Sequence, residues 1–404
     1  MSGSYLGIEI NDEMVAIHET VKRFAEDVIR PLGIELDKMH DPEDVIAKGS
    51  PLWRGLDQYR EIGLVGQDQA YGPDLSPAQR ALLHCMVLED MCAADVGLNI
   101  TYSLFNCAAM TARNFGREEA AQFFDQRDEV CCLAVTEPNH GTDQVAFTEP
   151  GYFDARISID CKVRKDGDDY IINGQKSSWV STGTIAGAAI LFASFDGSDR
   201  GAADGACFVL PLDLPGITKG KPLDKMGIRS LNQGGIFFDE VRVPARFMMM
   251  EGPDVYPLVW EYTLRDANIA MGQMFTGVAR SAYDYALQYS RERVQGGVPL
   301  IEHQNVKSRL YNMFLKVEMA RSHVRQVAIT NATQEGGVAF QHAVSAKLAG
   351  THAAFDVAND AIQAFGGYGL CREYPVEKIF RDARASLIAD GENSMLAIMA
   401  ASRL

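Results

Sequence analysis

The chain has 404 residues, 47% of them hydrophobic, which is enough to bury large cores and predicts a globular protein of two to three domains. Its 54 acidic residues outnumber 38 basic ones, and the net charge of -16 argues against nucleic acid or an anionic membrane surface as the main partner. The eight cysteines form no C-x-x-C spacing, so the sequence indicates neither a zinc ribbon nor a thioredoxin motif, and we predict no metal site.

The first third of the chain has helical periodicity. Behind an Asn11 start, apolar residues recur at three- and four-residue steps: Met14, Ile17, Val21, Phe24 and Val28. A second apolar face follows the same spacing: Leu82, Leu83, Met86, Val87 and Met91. The amino end carries no basic and apolar leader, and no apolar run reaches the roughly 20 residues of a membrane span. We therefore expect a helical domain over residues 1–129 of a cytoplasmic protein.

The pattern changes near residue 130 to short β-rich runs separated by Gly, Asp and Pro. The clearest runs cover residues 170–172, 188–193 and 207–210. Asn173-Gly174 is typical of a hairpin turn, and residues 235–243, closed by Pro244, read as the last strand. These signals predict a β domain, of the barrel or sandwich type, over residues 130–250.

Helical spacing returns after Asp254, for example at Ile269, Met274 and Val278. Several helical segments follow to the end of the chain, and a four-helix bundle accounts for them with the fewest elements. The predicted class is α+β, with helical, β and helical domains at 1–129, 130–250 and 251–404.

Six short segments carry the chemistry-bearing residues. In the β domain, residues 133–143 read LAVTEPNHGTD and residues 172–183 read INGQKSSWVSTG. In the last third, YSRERVQGG and EHQ are followed by QAFGGYG and by EYPVEKIFRDAR, which runs into IADGE. Glycine allows close backbone approach to a ligand, and hydroxyls and guanidinium groups donate to polar edges and phosphates.

Together these segments resemble motifs of the acyl-CoA dehydrogenase family, whose patterns read T-E-P-x-x-G-S-D, I-N-G-x-K-x-W-I-T-N-G, R-x-x-F-G with E-H-Q, Q-x-x-G-G-x-G, and E-Y-P-V-E-K-x-x-R-D-A-K before Y-E-G-T. The resemblance covers essentially the whole chain. It implies the acyl-CoA dehydrogenase fold, FAD as cofactor, an acyl-CoA thioester as substrate and an electron-transfer flavoprotein as electron acceptor.

The resemblance also implies which residues of the β domain contact the flavin. They are Val135, Thr136, Gly141, Thr142, Trp179 and Ser181. Trp179 is expected to cover the flavin ring, and Ser181 to meet the edge where hydride arrives. The chain has one residue more than the family pattern between Lys176 and Trp179, so a buried strand tryptophan is the alternative interpretation.

A second set of residues is implied to reach the FAD of a neighbouring subunit, which predicts a homotetramer, or at least a dimer. The set comprises Arg293, Gln295, Gln304, Gln363, Gly366 and Gly367. Arg293 suits the FAD pyrophosphate because guanidinium donors match phosphate oxygens in pairs. Gly296 stands where the family has an aromatic residue, and a glycine pair such as Gly366-Gly367 alone would also fit a helix end.

Asp390 is the candidate catalytic base, at the position where the family carries a glutamate. In the family that carboxylate removes the α-proton of the thioester, and a buried site raises its pKa toward working pH. The aspartate side chain is shorter than glutamate by about 1.5 Å, and Ala389 replaces a tyrosine. We therefore expect either that the thioester lies closer to Asp390 or that the acyl group is bulky, branched or cyclic. The implied substrate-side residues are Thr142, Asn99, Ser103, Ala389 and Gly391.

Two alternatives remain open at this point. The loss of the family glutamate is compatible with a non-redox lyase or desulfinase-like enzyme, or an oxidase, of the same fold. Gly296 and the extra serine at 177–178 are compatible with a binding protein that has lost catalysis. The sequence also predicts an insertion near residues 149–160. Long loops of this kind often shape the entrance of a binding site, but the sequence assigns no role to this one.

Overall fold

Helices, then strands, then helices follow one another along the computed structural model, which describes residues 3–63, 71–72, 74–154, 156 and 159–404. This is the predicted α+β class. The predicted insertion at 149–160 falls partly outside these residues. Six of the eight cysteines are buried, and no disulfide joins any of them in the described structure.

The amino-terminal part consists of helices behind one short hairpin that the sequence did not predict. The antiparallel strands β1 (Gly3–Tyr5) and β2 (Ile8–Ile10) form this hairpin. The helices are α1 (Asp12–Phe24), α2 (Arg30–Lys38), α3 (Pro42–Ile46), α4 (Pro51–Glu61), α5 (Pro77–Ser103), α6 (Cys107–Asn114) and α7 (Glu118–Asp125). The Asn11 side chain caps α1 by accepting from the Met14 N–H at 2.9 Å.

The middle part is one twisted mixed sheet. Its strands are β3 (Cys131–Ala134), β4 (Lys162–Asp166), β5 (Asp169–Lys176), β6 (Ala188–Phe195), β7 (Gly205–Pro211), β8 (Ile217–Lys219), β9 (Ile236–Val243) and β10 (Met248–Glu251). They lie in the order β10-β7-β6-β4-β5-β9-β8, and β3 pairs in parallel with β6. The runs in β6 and β7 are buried almost throughout and form the centre of the core.

Two predictions about this sheet were wrong. Asn173-Gly174 lies inside β5, where a register shift against β9 marks a bulge, and the hairpin turn is Gly167-Asp168 between β4 and β5. Gly174 has φ +131°, and a Cβ there would lie 2.7 Å from Cys161 Cα. The strand closed by Pro244 is also not the last, because β10 follows it and pairs with β7.

The carboxyl-terminal part is a bundle of helices. After α8 (Tyr256–Glu292) come a small hairpin of β11 (Val294–Gln295) and β12 (Val298–Pro299), then α9 (Gln304–Thr333), α10 (Phe340–Phe365), α11 (Val376–Ser386) and α12 (Asn393–Ala401). Helices α8 and α10 approach so closely that a Cβ built on Gly350 would collide with the Gly272 backbone. We propose that the predicted limits 1–129, 130–250 and 251–404 are the domain limits.

Asp95 breaks α5 and joins the three parts. Its backbone leaves helical geometry (φ -160°, ψ 114°), and its Oδ1 accepts from the Leu98 N–H at 2.8 Å, as a cap for the second half of α5. Its carboxylate also accepts from Ser230 Oγ at 2.5 Å and from Lys378 Nζ on α11 at 2.7 Å.

None of the described helices is long and apolar enough to cross a membrane.

Candidate active site

The turn between α11 and α12 carries Asp390 in the left-handed region of backbone space, with φ 52°, followed by Gly391 with φ 91°. Glu392 then caps α12, since its carboxylate accepts from the N–H groups of Ser394 at 2.9 Å and Met395 at 3.0 Å. The Glu392 N–H donates to Thr142 Oγ1 at 3.1 Å. The structure therefore brings the predicted residues Asp390, Gly391 and Thr142 into one place.

The two carboxyls of this turn differ in electrostatic environment. Solvent reaches Asp390, but the surrounding protein desolvates its carboxyl and raises the pKa, against the opposing charge of Lys347. The pKa of Glu392 is lowered, mainly because its carboxylate accepts a hydrogen bond from the Ser394 N–H. Asp390 is thus poised to take a proton, while Glu392 stays ionised as a helix cap.

Lys347 is a functional candidate that the sequence interpretation missed. It lies on α10, is fully buried, and donates from Nζ to the carbonyl oxygens of Ala389 at 2.6 Å, of Gly391, and of Asp390 at 3.4 Å. Burial lowers the pKa of Lys347 to about 8, despite the opposing charges of Asp390 and Glu392. The available signal was a lone lysine on an otherwise apolar helix face.

The loop after β3 is fastened to β5 by a buried ion pair. Glu137 and Lys176 have side chains of 0% exposure and an N···O distance of 2.6 Å. Lys176 Nζ also donates to the Val135 carbonyl at 2.8 Å. Next to it, the Ser177 N–H donates to the Thr136 carbonyl at 2.8 Å, and Ser177 Oγ lies 3.2 Å from Thr136 Oγ1. The predicted flavin residues Val135 and Thr136 are therefore held by β5.

Glu137 also belongs to a group with His140 and Asp160 whose ligand atoms lie within 4.8 Å of one another. Its two oxygens already accept from the backbone N–H groups of Asp160 at 2.6 Å and Cys161 at 3.1 Å, besides Lys176. The carboxylate is thus engaged in holding the loop, which accounts for the group without a metal ion.

Trp179 and Ser181 lie in the turns that follow β5. Trp179 is 61% exposed and is not in a strand, so the alternative of a buried strand tryptophan was wrong. Gln233 Nε2 donates to the Trp179 carbonyl at 3.0 Å and to Ser181 Oγ at 3.3 Å. Lys225 Nζ in turn donates to Gln233 Oε1 at 3.0 Å. Gln233 and Lys225 were not singled out from the sequence.

The predicted residues on α5 have different environments. Asn99 is 1% exposed, and both polar atoms of its amide are buried without a hydrogen-bond partner in the described part of the chain. Ser103 is exposed, and its hydroxyl donates to the Ile100 carbonyl at 2.9 Å. Asn99 therefore has free hydrogen-bonding capacity inside the protein, whereas Ser103 is an ordinary satisfied helix residue.

The second predicted set lies around the far end of α10. The Arg293 guanidinium is 5.6 Å from the ring centre of Tyr368, in the turn that contains Gly366 and Gly367. His303 Nε2 is 2.9 Å from the Gln295 carbonyl, next to Gln304 at the start of α9. Gln363 follows Lys347 by 16 residues on α10 (347 to 363), which corresponds to about 24 Å. The chain thus holds two separate groups of predicted residues.

The fold and the two groups define an oxidoreductase of the acyl-thioester class, as the comparisons with known proteins show. The family model "Acyl-CoA dehydrogenase, middle domain" matches residues 132–241, and "Acyl-CoA dehydrogenase, C-terminal domain" matches residues 259–404. The chain is 28% identical to the mitochondrial short-chain specific acyl-CoA dehydrogenase of Rattus norvegicus over 407 residues, covering 99% of this chain and 92% of the relative.

It is 30% identical to the short-chain specific acyl-CoA dehydrogenase of Megasphaera elsdenii over 347 residues, covering 84% and 86% of the two chains. The solved butyryl-CoA dehydrogenase of Megasphaera elsdenii superposes with a TM-score of 0.82 at 27% identity, covering 98% of each chain. The chain belongs to the acyl-CoA dehydrogenase family, and it is an oxidoreductase enzyme.

The family is FAD-dependent, and the residues present fit that cofactor. Cβ atoms built on Gly141, Gly366 and Gly367 would meet nothing within 4 Å, so the backbone at these three positions is open to a ligand. The exposed ring of Trp179 offers an uncovered aromatic face, and Arg293 offers donors of the kind that phosphate oxygens accept. The donor set therefore suits a flat ring joined to a pyrophosphate.

Proposed function

We propose that this chain is an FAD-dependent acyl-CoA dehydrogenase that desaturates the α,β bond of an acyl-CoA thioester, with Asp390 as the base. Asp390 takes the α-proton, and the pair of electrons left behind forms the double bond as the β-hydrogen leaves as hydride. FAD, when bound, supplies the hydride acceptor. The observation that carries the proposal is Asp390 itself, on a left-handed turn held by Lys347, with a pKa raised by its surroundings.

The remaining residues have supporting roles in this proposal. Thr142 holds the turn through the Glu392 N–H, and Gln233 holds the Ser181 hydroxyl and the Trp179 carbonyl, two residues that would contact the cofactor. Lys176 holds Val135 and Ser177 holds Thr136, in the loop that would contact the cofactor. The second set then serves the FAD of a neighbouring subunit, in a homotetramer: Arg293, Gln295, Gln304, Gln363, Gly366 and Gly367. Electrons leave to an electron-transfer flavoprotein.

The acyl group is proposed to be branched or cyclic. A base shorter by about 1.5 Å must approach the α-carbon more closely. Ala389 beside it leaves the space that a bulky acyl group would fill. Asn99 is a proposed contact at the substrate side because its amide has no hydrogen-bond partner among the residues that the structure describes.

The test is an anaerobic visible spectrum of the purified flavoprotein before and after addition of straight, branched and cyclic acyl-CoA thioesters. Bleaching of the flavin band is expected, fastest with the branched or cyclic members. Asp390→Asn should keep the flavin and lose the bleaching, because an amide cannot accept the proton. Asp390→Glu is the matched control, since it restores a carboxylate. Rapid bleaching of the Asp390→Asn protein would rule out Asp390 as the base.

A second candidate function is a non-redox reaction of the same fold on an acyl-CoA, favoured by the replacement of the family glutamate. It predicts conversion of the thioester while the flavin stays oxidised without oxygen. Product analysis in the same anaerobic samples separates the two functions. An oxidase would bleach like a dehydrogenase but would recolour rapidly when oxygen alone is admitted.

A further inference from the structure

The charge of Lys347 is directed at one short turn. Its Nζ contacts the carbonyls of Ala389, Asp390 and Gly391, which converge because residues 390 and 391 both have positive φ. Four residues further along α10, Thr351 Oγ1 accepts from Asn393 Nδ2 at 3.0 Å. The same face of α10 thus holds the turn before and after Glu392.

A buried lysine is energetically unfavourable as a packing residue between two helices. Burial of an ammonium costs several kcal/mol unless hydrogen bonds and opposite charges compensate, whereas methionine would fill a similar volume without that cost. Among the described residues, the charged groups that act on Lys347 are Asp390 and Glu392, and Lys347 is the one that acts on Asp390. The compensation therefore comes from the turn that carries the base.

We infer that Lys347 is a positioning residue for Asp390: its ammonium fixes the three carbonyls so that the carboxylate projects from the turn in one orientation, beside a positive charge. The inference rests on the proposed function of Asp390. Lys347 does not touch the substrate in this arrangement. It acts on the base through the backbone of the turn and through its field.

The experiment compares wild-type holoenzyme with Lys347→Met and Lys347→Arg by anaerobic stopped flow, using the thioester that bleaches the wild-type flavin fastest. Lys316→Met is the control, because Lys316 is a partly exposed lysine of α9 that pairs with Asp356 at 3.1 Å. Rates are measured across the pH range in which the flavin stays bound. Hydrogen exchange by mass spectrometry follows the amides of residues 387–394 in the same proteins.

Lys347→Met is expected to keep its flavin and to reduce it roughly tenfold more slowly or worse, because the base is no longer held in place. The limb in which the rate rises with pH should move to higher pH, because loss of the positive charge leaves desolvation by the surrounding protein to raise the pKa of Asp390 unopposed. Exchange should quicken at residues 387–394 above all. Lys347→Arg should keep the pH limb near that of the wild type, and Lys316→Met should match the wild type.

An unchanged rate and pH limb in Lys347→Met would overturn the inference, as would a slower rate with an unmoved limb and exchange quickened throughout the chain. If no thioester bleaches the wild-type flavin, the proposed function fails by itself. Exchange at residues 387–394 then decides the role of Lys347 separately: local loosening supports it and none overturns it.

Discussion

Thr142 Oγ1 accepts a hydrogen bond of 3.1 Å from the backbone N–H of Glu392, across 250 residues of sequence. The contact joins the loop after β3, which the family resemblance assigns to the flavin, to the turn that carries Asp390. A hydroxyl is required at position 142 for this contact, and the threonine in place of the family's serine supplies it with a stiffer side chain. This side-chain oxygen therefore helps to fix the position of the base relative to the flavin loop.

Replacing Thr142 by valine should keep the shape of the side chain and leave the Glu392 N–H without its partner. We expect a loss of about 1–3 kcal/mol in the free energy of unfolding and slower flavin reduction. Urea unfolding and anaerobic stopped flow measure the two effects. Thr142→Ser is the matched control and should retain both properties, and a valine variant as fast as the serine variant would contradict this role of the hydroxyl.

The two groups of predicted residues can be tested for cooperation between subunits. Asp390→Asn and Arg293→Ala chains should each be inactive or nearly so, the first without its base and the second with weakened FAD binding. If Arg293 serves a neighbour's site, co-assembled mixtures contain sites with Asp390 from one chain and Arg293 from the other. Activity above that of either variant alone is the expected result. Mixtures that stay additive would place Arg293 and Asp390 in the same chain's site.

The environment of Glu89 predicts that the protein loses stability at acid pH. It is buried between Arg280, Arg321 and Arg325, with Arg321 Nη2 at 2.7 Å. Burial alone would raise the pKa of Glu89, but the hydrogen bond from Arg321 and the three positive charges outweigh it and lower the pKa. The stabilisation is therefore present above the ordinary value of 4.5 and is lost as the pH falls from there toward the lowered pKa.

Glu89→Gln should lower the free energy of unfolding at pH 7 by about 3–5 kcal/mol, because three arginines lose their buried partner. The difference from the wild type should shrink as the pH falls below the ordinary value. Denaturant unfolding at a series of pH values measures it. Glu35→Gln, at an exposed pair with Arg54, should change stability by less than about 1 kcal/mol. A difference for Glu89→Gln that stays constant with pH would contradict the prediction.

Gly167, in the turn between β4 and β5, and Gly174, inside β5, provide a test of the corrected turn. Gly174→Ala should lower the free energy of unfolding by about 3 kcal/mol. The added Cβ would lie 2.7 Å from Cys161 Cα, and alanine is also strained at the positive φ of this position. Gly167→Ala also carries a positive φ but meets nothing within 4 Å, so it should cost about 1 kcal/mol. Thermal or urea unfolding of the two variants gives the comparison. Equal costs would mean that the strand relaxes around residue 174.

Much of the fold was readable from local pattern. The spacing of Met14, Ile17 and Val21 predicted α1, and the continuous apolar run at 188–193 predicted β6, because periodicity reports which face of an element is buried. The motif around Asp390 was readable too, since its glycine and the following apolar helix are local features. Asn173-Gly174 misled the interpretation because a bulge and a turn use the same residue types, and only pairing with β9 distinguishes them.

The sequence by itself determined the class, the family resemblance and the candidate base, because those are recorded in short segments whose residue types follow one another. Tertiary structure alone decided which distant groups hold the turn that carries Asp390. Lys347 lies 43 residues before it and Thr142 248 residues before it, and neither spacing carries a periodic signal. Helix α10 and the loop after β3 are brought to the turn by packing of separate parts of the chain. Hydrogen bonds between such parts depend on that packing, which no local pattern encodes.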